Sequence, residues 1–387
     1  MSTNNEQLLF KPYKLGDIGT LKHRVVLAPL TRLRNDEDFA PKDMAVKYYS
    51  QRASTPGTLL FAEGTVPGPQ AHGIKGSPGI WSDKQIEAWK KVTDAVHANG
   101  SLIVTQLWST GTPADPVLLA RLGYDYTNVS AWHPDDVPPE RLPREMTKAE
   151  IKEFVGLYAK AAKDSVERAG FDGVELHLAN GYLMDAFLQT NSNHRTDEYG
   201  GSVENRLRFT LEALKAIVDA VGQTRVGFSM SPWARFQGMR MPDADIVETF
   251  STLLTRIRDT YPRLAFVRVV MPRILGAEDD PEADTVHARD SDDYLRAIWA
   301  EGPDADKRTY IAVGGFDRES AIERAETGDL VGFGRAFLAN PDLPRRLENN
   351  WPLTEGNRAL YYTSTEVGYT DYPFYEEVKE SIQQNIA

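Results

Sequence analysis

Three polar residues lie close together where a short apolar run ends. His177 and Asn180 stand three positions apart at the end of the predicted strand Gly173–Leu178, and Tyr182 follows them. A histidine ring N–H and an asparagine amide can both donate to one oxygen, while a tyrosine hydroxyl can give up a proton. Two donors that polarise a carbonyl, beside an acid, suit hydride addition to a conjugated alkene. The alternative is a buried His and Asn bonded to each other or to backbone.

Glycines and an arginine follow two later predicted strands. Gly314 and Gly315 follow one of them, and Gly334 and Arg335 follow the next. Glycine lets backbone N–H groups approach an anion closely, and arginine adds charge and a bidentate fork. The pattern predicts a phosphate site, with ordinary turn glycines as the alternative. No G-x-G-x-x-G opens a helix near the first strand, which disfavours a Rossmann-type dinucleotide site.

Further polar and aromatic side chains follow the first and third predicted strands. Thr31 places a hydroxyl after the first strand, where a simple strand-end cap is the alternative. Gln106 and Trp108 end the third strand. The amide of Gln106 can meet the edge of a flat heterocycle, and the indole of Trp108 can form the wall of a pocket or pack in the core.

The elements that must position these residues alternate along the whole chain. Amphipathic helical stretches, such as Lys148–Ala169 with its Thr147-x-x-Glu150 capping box and Gln85–Ala98, separate eight short apolar strands. The predicted strands are Val25–Leu30, Thr58–Glu63, Leu102–Trp108, Gly173–Leu178, Arg225–Met230, Leu264–Val270, Thr309–Gly314 and Leu330–Gly334. Eight parallel strands over 387 residues favour a closed (β/α)₈ TIM barrel, with its active site at the carboxyl ends of the strands.

This architecture is expected to form a single domain over residues 1–387. The segments Tyr13–Ile18 and Thr20–Arg24, around Gly19, predict an N-terminal β-hairpin plug at the barrel bottom. Long βα-loops are predicted at 109–146, 179–202 and 271–289, and loops of such length commonly act as lids or binding loops.

The amino-acid composition limits the classes of molecule that the protein is expected to bind. The net charge of −12 and the lack of a basic cluster argue against nucleic acid and anionic membranes. No cysteine is present, which excludes disulfides and thiolate chemistry, and no metal site is predicted. Without a signal-peptide pattern or a long apolar run, the expectation is a cytoplasmic monomer or homodimer that acts on a small molecule.

Longer motifs resemble the old yellow enzyme family, closest to its yeast and fungal branch, over nearly the whole chain. The block 193–206, Asn-His-Arg-Thr-Asp-Glu-Tyr-Gly-Gly-Ser-Val-Glu-Asn-Arg, is the most specific. The segments 48–53, 78–82 and 371–373 agree in the expected order. The resemblance implies an NAD(P)H-dependent FMN ene-reductase. In its ping-pong cycle, NADPH or NADH reduces FMN and leaves, and an electron-poor alkene then takes hydride at its β-carbon.

Carried over by position, the resemblance implies roles for individual residues. Thr31 would bond flavin O4, Gln106 the pyrimidine edge, and His177 and Asn180 the substrate carbonyl or nitro oxygen. Tyr182 would protonate the α-carbon, while Trp108 and Tyr362 would line the substrate cavity. The implied FMN-binding set is Pro29, Leu30, Thr31, Gly64, Gln106, His177, Ser229, Gly314, Gly315, Gly334 and Arg335.

One position departs from the family pattern. Ser229 in the fifth strand stands where the family usually has an arginine that faces flavin N1 and O2. Arg268, inside the apolar sixth strand, is a candidate replacement, and an ion pair with a helix carboxylate is its alternative role. The departure keeps two further functions open. One is a redox-neutral FMN enzyme that isomerises or cyclises its substrate, as in parts of fungal specialised metabolism. The other is a barrel that binds flavin or ligand without turnover.

Overall fold

A closed barrel of eight parallel strands forms the centre of the molecule. A computed structural model describes residues 7–135, 137–272, 274–275, 278–279, 290–377 and 379. The barrel strands are β1 (Val25–Leu27), β2 (Leu59–Thr65), β3 (Leu102–Leu107), β4 (Gly173–Leu178), β5 (Val226–Met230), β6 (Phe266–Val270), β7 (Thr309–Val313) and β8 (Leu330–Phe333). Each strand pairs with the next, and β8 pairs with β1. The predicted TIM barrel is therefore confirmed.

The strand bounds differ from the prediction mainly at β1 and β2. Strand β1 ends at Leu27, because Pro29 has no N–H with which to continue the ladder. The backbone N–H of Ala28 still bonds the Phe333 carbonyl at 3.0 Å. Strand β2 runs two residues further than predicted, and its register against β3 shifts between Phe61 and Gly64. Gly64 consequently lies inside a strand, next to an irregularity.

The hairpin Tyr13–Leu15/Gly19–Leu21 plugs the barrel bottom, as predicted. Its Leu15, Ile18 and Leu21 share one buried apolar cluster with barrel-interior residues such as Phe61 and Phe266. The predicted turn position was wrong: Gly19 begins the second strand, and the turn lies at 16–18, where Gly16 has a φ of +45°. A side chain at Gly16 would meet the Thr224 carbonyl, so the close approach to the turn before β5 requires glycine there.

Helices surround the barrel and bury their apolar faces against it. The described α-helices are α1 (Asp43–Arg52), α2 (Asp83–Ala98), α3 (Pro116–Arg121), α4 (Lys148–Glu167), α5 (Leu183–Leu188), α6 (Val203–Arg206), α7 (Arg208–Val221), α8 (Asp243–Thr260), α9 (Asp293–Trp299), α10 (Arg318–Ala325), α11 (Arg335–Ala339) and α12 (Leu343–Asn349). The predicted capping box of Thr147 and Glu150 opens α4, and a second box of Ser82 and Gln85 opens α2.

Connections at the carboxyl ends of the strands carry further short elements. Thr127–Asn128 pairs with Arg144–Glu145 in the loop after β3, and Ile274–Leu275 pairs with Glu278–Asp279 after β6. Most of the long βα-loop predicted at 271–289 lies outside the described residues. Among the helices that are described, none has the length and apolarity needed to cross a membrane.

Candidate active site

His177 lies at the carboxyl end of β4 and points into the barrel. It is 5% exposed. Its Nδ1 lies 2.8 Å from the Ser229 hydroxyl on β5 and 3.2 Å from Nε2 of Gln106 on β3. Burial, together with the charge of Arg268, lowers the pKa of His177 to about 3. The imidazole is therefore neutral at physiological pH, and it bonds side chains of neighbouring strands rather than backbone or Asn180.

Asn180 occupies the turn that follows β4. Its φ of +61° is left-handed, a conformation that asparagine tolerates better than most residues. Its backbone N–H donates to the Ser231 hydroxyl at 2.8 Å, and the N–H of Gly181 donates to Asp185 at 2.9 Å. These bonds from β5 and α5 hold the turn in which Asn180 follows His177.

Tyr182 immediately precedes α5 and packs between two predicted site residues. Its ring centroid lies 4.4 Å from that of Trp108, edge to face, and 5.7 Å from that of His177. Burial and the neighbouring Tyr362 raise the pKa of Tyr182 to about 12, although the Gln237 side chain opposes the rise. The phenol therefore keeps its proton at neutral pH. Tyr362, 47% exposed, lies close enough to Tyr182 to affect its pKa.

Trp108 packs against Gly64 on one side and Tyr182 on the other. A Cβ on Gly64 would lie 2.9 Å from the indole, so a larger residue in β2 would displace the ring. The indole is 2% exposed, and its Nε1 has no hydrogen-bond partner among the described residues. A buried donor without a partner is costly, which fits a ring positioned to meet a bound molecule.

Arg268 points into the barrel from β6, while its neighbours Val267 and Val269 join the outer apolar layer. Its Nε and Nη2 donate to the two carboxylate oxygens of Glu175 on β4, each at 2.7 Å. Both side chains are buried. The predicted alternative, an ion pair with a helix carboxylate, is wrong, because the acidic partner lies on a barrel strand.

Gln106 connects this ion pair to His177. Its Nε2 lies 2.6 Å from Oε1 of Glu175 and 3.2 Å from Nδ1 of His177. A carboxylate only accepts hydrogen bonds, so it fixes which end of the amide faces Glu175. The amide oxygen of Gln106 is then available as an acceptor, as the N–H of a flavin pyrimidine requires.

The glycine turns lie side by side after β7 and β8. Gly314 and Gly315 have φ values of +135° and +60°, which glycine adopts without strain. Gly334 precedes α11, whose first residue is Arg335. The segment after β1 reaches the same place, because a Cβ on Gly334 would lie 3.1 Å from Leu30. Pro29 and Thr31 flank Leu30 and are half-buried.

The arrangement fits FMN. Adjacent glycine turns with an arginine suit a phosphate, Gln106 offers an amide edge, and Trp108 and Tyr182 wall the space beside His177.

The sequence prediction missed Glu175, Asp185 and Gln237. A charged residue in the apolar strand Gly173–Leu178, two positions before His177 and so on the same face, was a usable signal for Glu175. Nothing in the sequence marked Gln237, which follows β5.

Comparisons with known proteins agree with the barrel fold and with FMN as the cofactor. The sequence model of the NADH:flavin oxidoreductase / NADH oxidase family matches residues 8–354. Chanoclavine-I aldehyde reductase fgaOx3 of Penicillium roqueforti is 44% identical, with 97% of this chain and 98% of the relative covered. The probable inactive dehydrogenase easA of Claviceps fusiformis is 41% identical, with 97% and 96% covered. The crystal structure of Old Yellow Enzyme from Pichia sp. AKU4542 superposes with a TM-score of 0.85 at 36% identity, with 96% and 94% covered.

Fold and site together define a barrel flavoprotein oxidoreductase. The chain belongs to the old yellow enzyme family of NADH:flavin oxidoreductases. It is an NAD(P)H-dependent FMN enzyme that acts on small molecules, as the resemblance implied.

Proposed function

We propose that this flavoenzyme reduces the activated C=C bond of an α,β-unsaturated carbonyl compound or nitroalkene, by a ping-pong cycle with NADPH or NADH. The observation that carries the proposal is the close packing of the His177 and Tyr182 rings. A neutral imidazole and a protonated phenol lie next to each other, with their ring centroids 5.7 Å apart. Hydride addition to such an alkene needs a polarised oxygen and a proton for the α-carbon.

The FMN phosphate would be held by the two glycine turns and the arginine after β7 and β8, namely Gly314, Gly315, Gly334 and Arg335. Other residues would contact the flavin ring. The proposed ring contacts are Pro29, Leu30, Thr31, Gly64, Gln106, His177 and Ser229. When bound, FMN accepts hydride from the nicotinamide and donates it to the substrate.

The chain's own residues would bind, orient and protonate the substrate. His177 and Asn180 would donate to the carbonyl or nitro oxygen and withdraw electron density from the β-carbon. Tyr182, which keeps its proton because burial raises its pKa to about 12, would deliver that proton to the α-carbon. Trp108 and Tyr362 would confine the alkene between them. The likeness to a chanoclavine-I aldehyde reductase supports a substrate from fungal specialised metabolism.

Ser229 favours a second candidate, a redox-neutral FMN enzyme that isomerises or cyclises its substrate. The hydroxyl at this position bonds His177 at 2.8 Å and brings no positive charge to the flavin site. Burying negative charge on a flavin without a counter-charge is costly, which would disfavour net reduction. A relative named as a probable inactive dehydrogenase also keeps binding without turnover as a third outcome.

One anaerobic experiment separates the three functions. The purified protein is mixed with NADPH, flavin bleaching is followed, and a panel of enones and nitroalkenes is then added. Bleaching followed by reoxidation, with saturated product, supports ene-reduction. Product formed without NADPH consumption supports the redox-neutral enzyme, and a flavin that neither bleaches nor promotes turnover supports binding alone.

A further inference from the structure

The side chain of Gln106 links the buried Arg268–Glu175 ion pair to the ring of His177. Glu175 accepts two bonds from Arg268 and one from Nε2 of Gln106, and the same Nε2 lies 3.2 Å from Nδ1 of His177. The register places Gln106 opposite Glu175 on neighbouring strands, and His177 two residues further along β4. The contacts therefore run across the barrel mouth without a gap.

The donor inventory leaves one arrangement of hydrogens. The bidentate guanidinium bond marks Glu175 as a carboxylate, which only accepts, so the amide nitrogen of Gln106 must face it. An amide nitrogen only donates, and its second hydrogen points to Nδ1 of His177. Nδ1 must therefore accept. Because the imidazole is neutral, its single proton then resides on Nε2.

The Ser229 hydroxyl does not determine which ring nitrogen of His177 carries the proton. It lies 2.8 Å from Nδ1, and a hydroxyl can either donate to a bare nitrogen or accept from a protonated one. Of the two Nδ1 partners among the described residues, Gln106 alone discriminates between the tautomers, and it does so while Glu175 prevents its amide from turning over.

We infer that Glu175 is a positioning residue which, through Gln106, fixes His177 as the Nε2–H tautomer. The inference rests on the proposed function for its consequence: Nε2–H is the donor that would grip the substrate oxygen. With Glu175 replaced by glutamine, the Gln106 amide can present its oxygen to Nδ1. The proton then moves to Nδ1, and Nε2 becomes an acceptor that repels a carbonyl oxygen.

The test is the tautomer itself, read by ¹⁵N NMR of the FMN-loaded protein labelled at histidine, with the His177 signals assigned from a His177→Gln variant. The native protein should show an unprotonated Nδ1 and a protonated Nε2. Glu175→Gln should introduce the opposite tautomer and weaken binding of a simple cyclic enone by about tenfold, the scale of one hydrogen bond. Ser229→Ala, the matched control that removes the other Nδ1 partner, should keep the native tautomer.

Glu175→Gln leaves Arg268 without its carboxylate partner and could prevent folding. The double variant Glu175→Gln/Arg268→Gln removes both charges, and it replaces the single variant in the NMR test if the single variant does not fold. A native His177 protonated on Nδ1 overturns the inference. Retention of Nε2–H in both variants, or its loss in Ser229→Ala alone, also overturns it. A native Nε2–H tautomer in an enzyme that reduces no enone would contradict the proposed function and leave the tautomer assignment standing.

Discussion

Tyr182 combines the two properties that a proton donor to the α-carbon needs. It remains protonated at neutral pH, and it packs between Trp108 and His177. We expect Tyr182→Phe to slow flavin reoxidation by an enone by roughly 10²–10⁴-fold, the usual scale of general-acid catalysis. Reduction by NADPH needs no such proton and should be nearly unchanged. Stopped-flow measurement of the two half-reactions checks this, and normal reoxidation would mean that another group supplies the proton.

Arg268 and Glu175 should act on the flavin in opposite directions if Arg268 replaces the cation missing at position 229. Glu175 takes two of the guanidinium donors and offsets its charge. Glu175→Gln should therefore raise the FMN reduction potential, and adding Arg268→Gln to it should lower the potential again. The expected difference corresponds to about 1–3 kcal/mol, the effect of a unit charge several ångströms away at an effective dielectric constant near 20.

Dye-equilibration titrations under anaerobic conditions measure these potentials. Ser229→Arg, placed in the double variant, should restore the higher potential from β5. If the potentials of Glu175→Gln and of the double variant agree, the ion pair is purely structural. The flavin would then lack a compensating charge from Arg268, which favours the redox-neutral function.

The sequence indicated which individual residues belong to the candidate site, but it did not indicate which side chains they contact. Parity along β6 left Arg268 facing either the barrel or the helices, and only the register of β4, β5 and β6 decides that it meets Glu175. The contact between His177 and Ser229 likewise depends on register. Such pairings join strands far apart in the chain, and residue patterns within one strand carry no information about them.

At the scale of elements, the turns after β7 and β8 concentrate the phosphate-binding groups. Arg335 opens α11 next to Gly334. We expect Arg335→Ala to purify as largely apo protein, because a phosphate dianion loses its bidentate partner in a partly dehydrated site. Flavin absorbance per protein measures occupancy, with Arg345→Ala, an exposed arginine on α12, as the matched control. Full occupancy in Arg335→Ala would contradict the phosphate assignment.

A buried arginine holds the segment that carries Tyr362. Arg34 donates to the Thr365, Tyr361 and Leu360 carbonyls at 2.7–2.8 Å, and it is 2% exposed. Arg34→Met should loosen this segment, because several charge-assisted bonds, each worth about 1.5–3 kcal/mol, are lost together.

We therefore expect faster proteolysis between residues 358 and 368 and a higher KM for enones, with little change in NADPH-driven flavin reduction. Mass spectrometry of the first fragments and steady-state kinetics test this. Arg263→Ala, at an exposed position before β6, is the control. Native proteolysis and KM in Arg34→Met would show that Tyr362 is held by other contacts.

Element types were predictable because their signals are local. Alternating apolar runs and capping boxes identified all eight barrel strands and the start of α4. The errors lie at strand boundaries, one of them set by a local proline signal and the other by tertiary contact. Pro29 ends β1 early, and the packing of Trp108 on Gly64 accompanies the longer, irregular β2.

At the scale of the whole molecule, buried histidines and buried aspartates have opposite effects on folding stability as the pH changes. Burial lowers the pKa of His23 and His72 to about 4 and that of His177 to about 3. Burial raises the pKa of Asp185 to about 7 and that of Asp292 to about 8. Below pH 6.5 the unfolded chain binds more protons at the histidines, so their contribution to stability falls with falling pH. Above pH 4 the folded chain binds more protons at the aspartates than the unfolded chain does. The contribution of the aspartates to stability therefore falls with rising pH.

These five groups therefore favour a stability maximum at about pH 6, with a decline of stability on either side of it. The side chain of Asp292 is 2% exposed, and its burial outweighs the attraction of Arg324 and the contact with Trp233, both of which favour the ionised form. Asp292→Asn removes the cost of ionising this group, so the variant should gain about 2–5 kcal/mol over the native protein between pH 6 and pH 8.

Urea-unfolding midpoints at several pH values between 5 and 9 provide the measurement. The alkaline decline of the native protein should flatten in Asp292→Asn. It should persist in Asp293→Asn, which removes an exposed carboxylate one residue away. If Asp292→Asn and the native protein lose stability in parallel above pH 6.5, then Asp292 is ionised in the fold, and a partner must offset its burial. The remaining decline would then belong to Asp185, whose carboxylate accepts bonds from Gly181 and Gln189 beside the proposed proton donor.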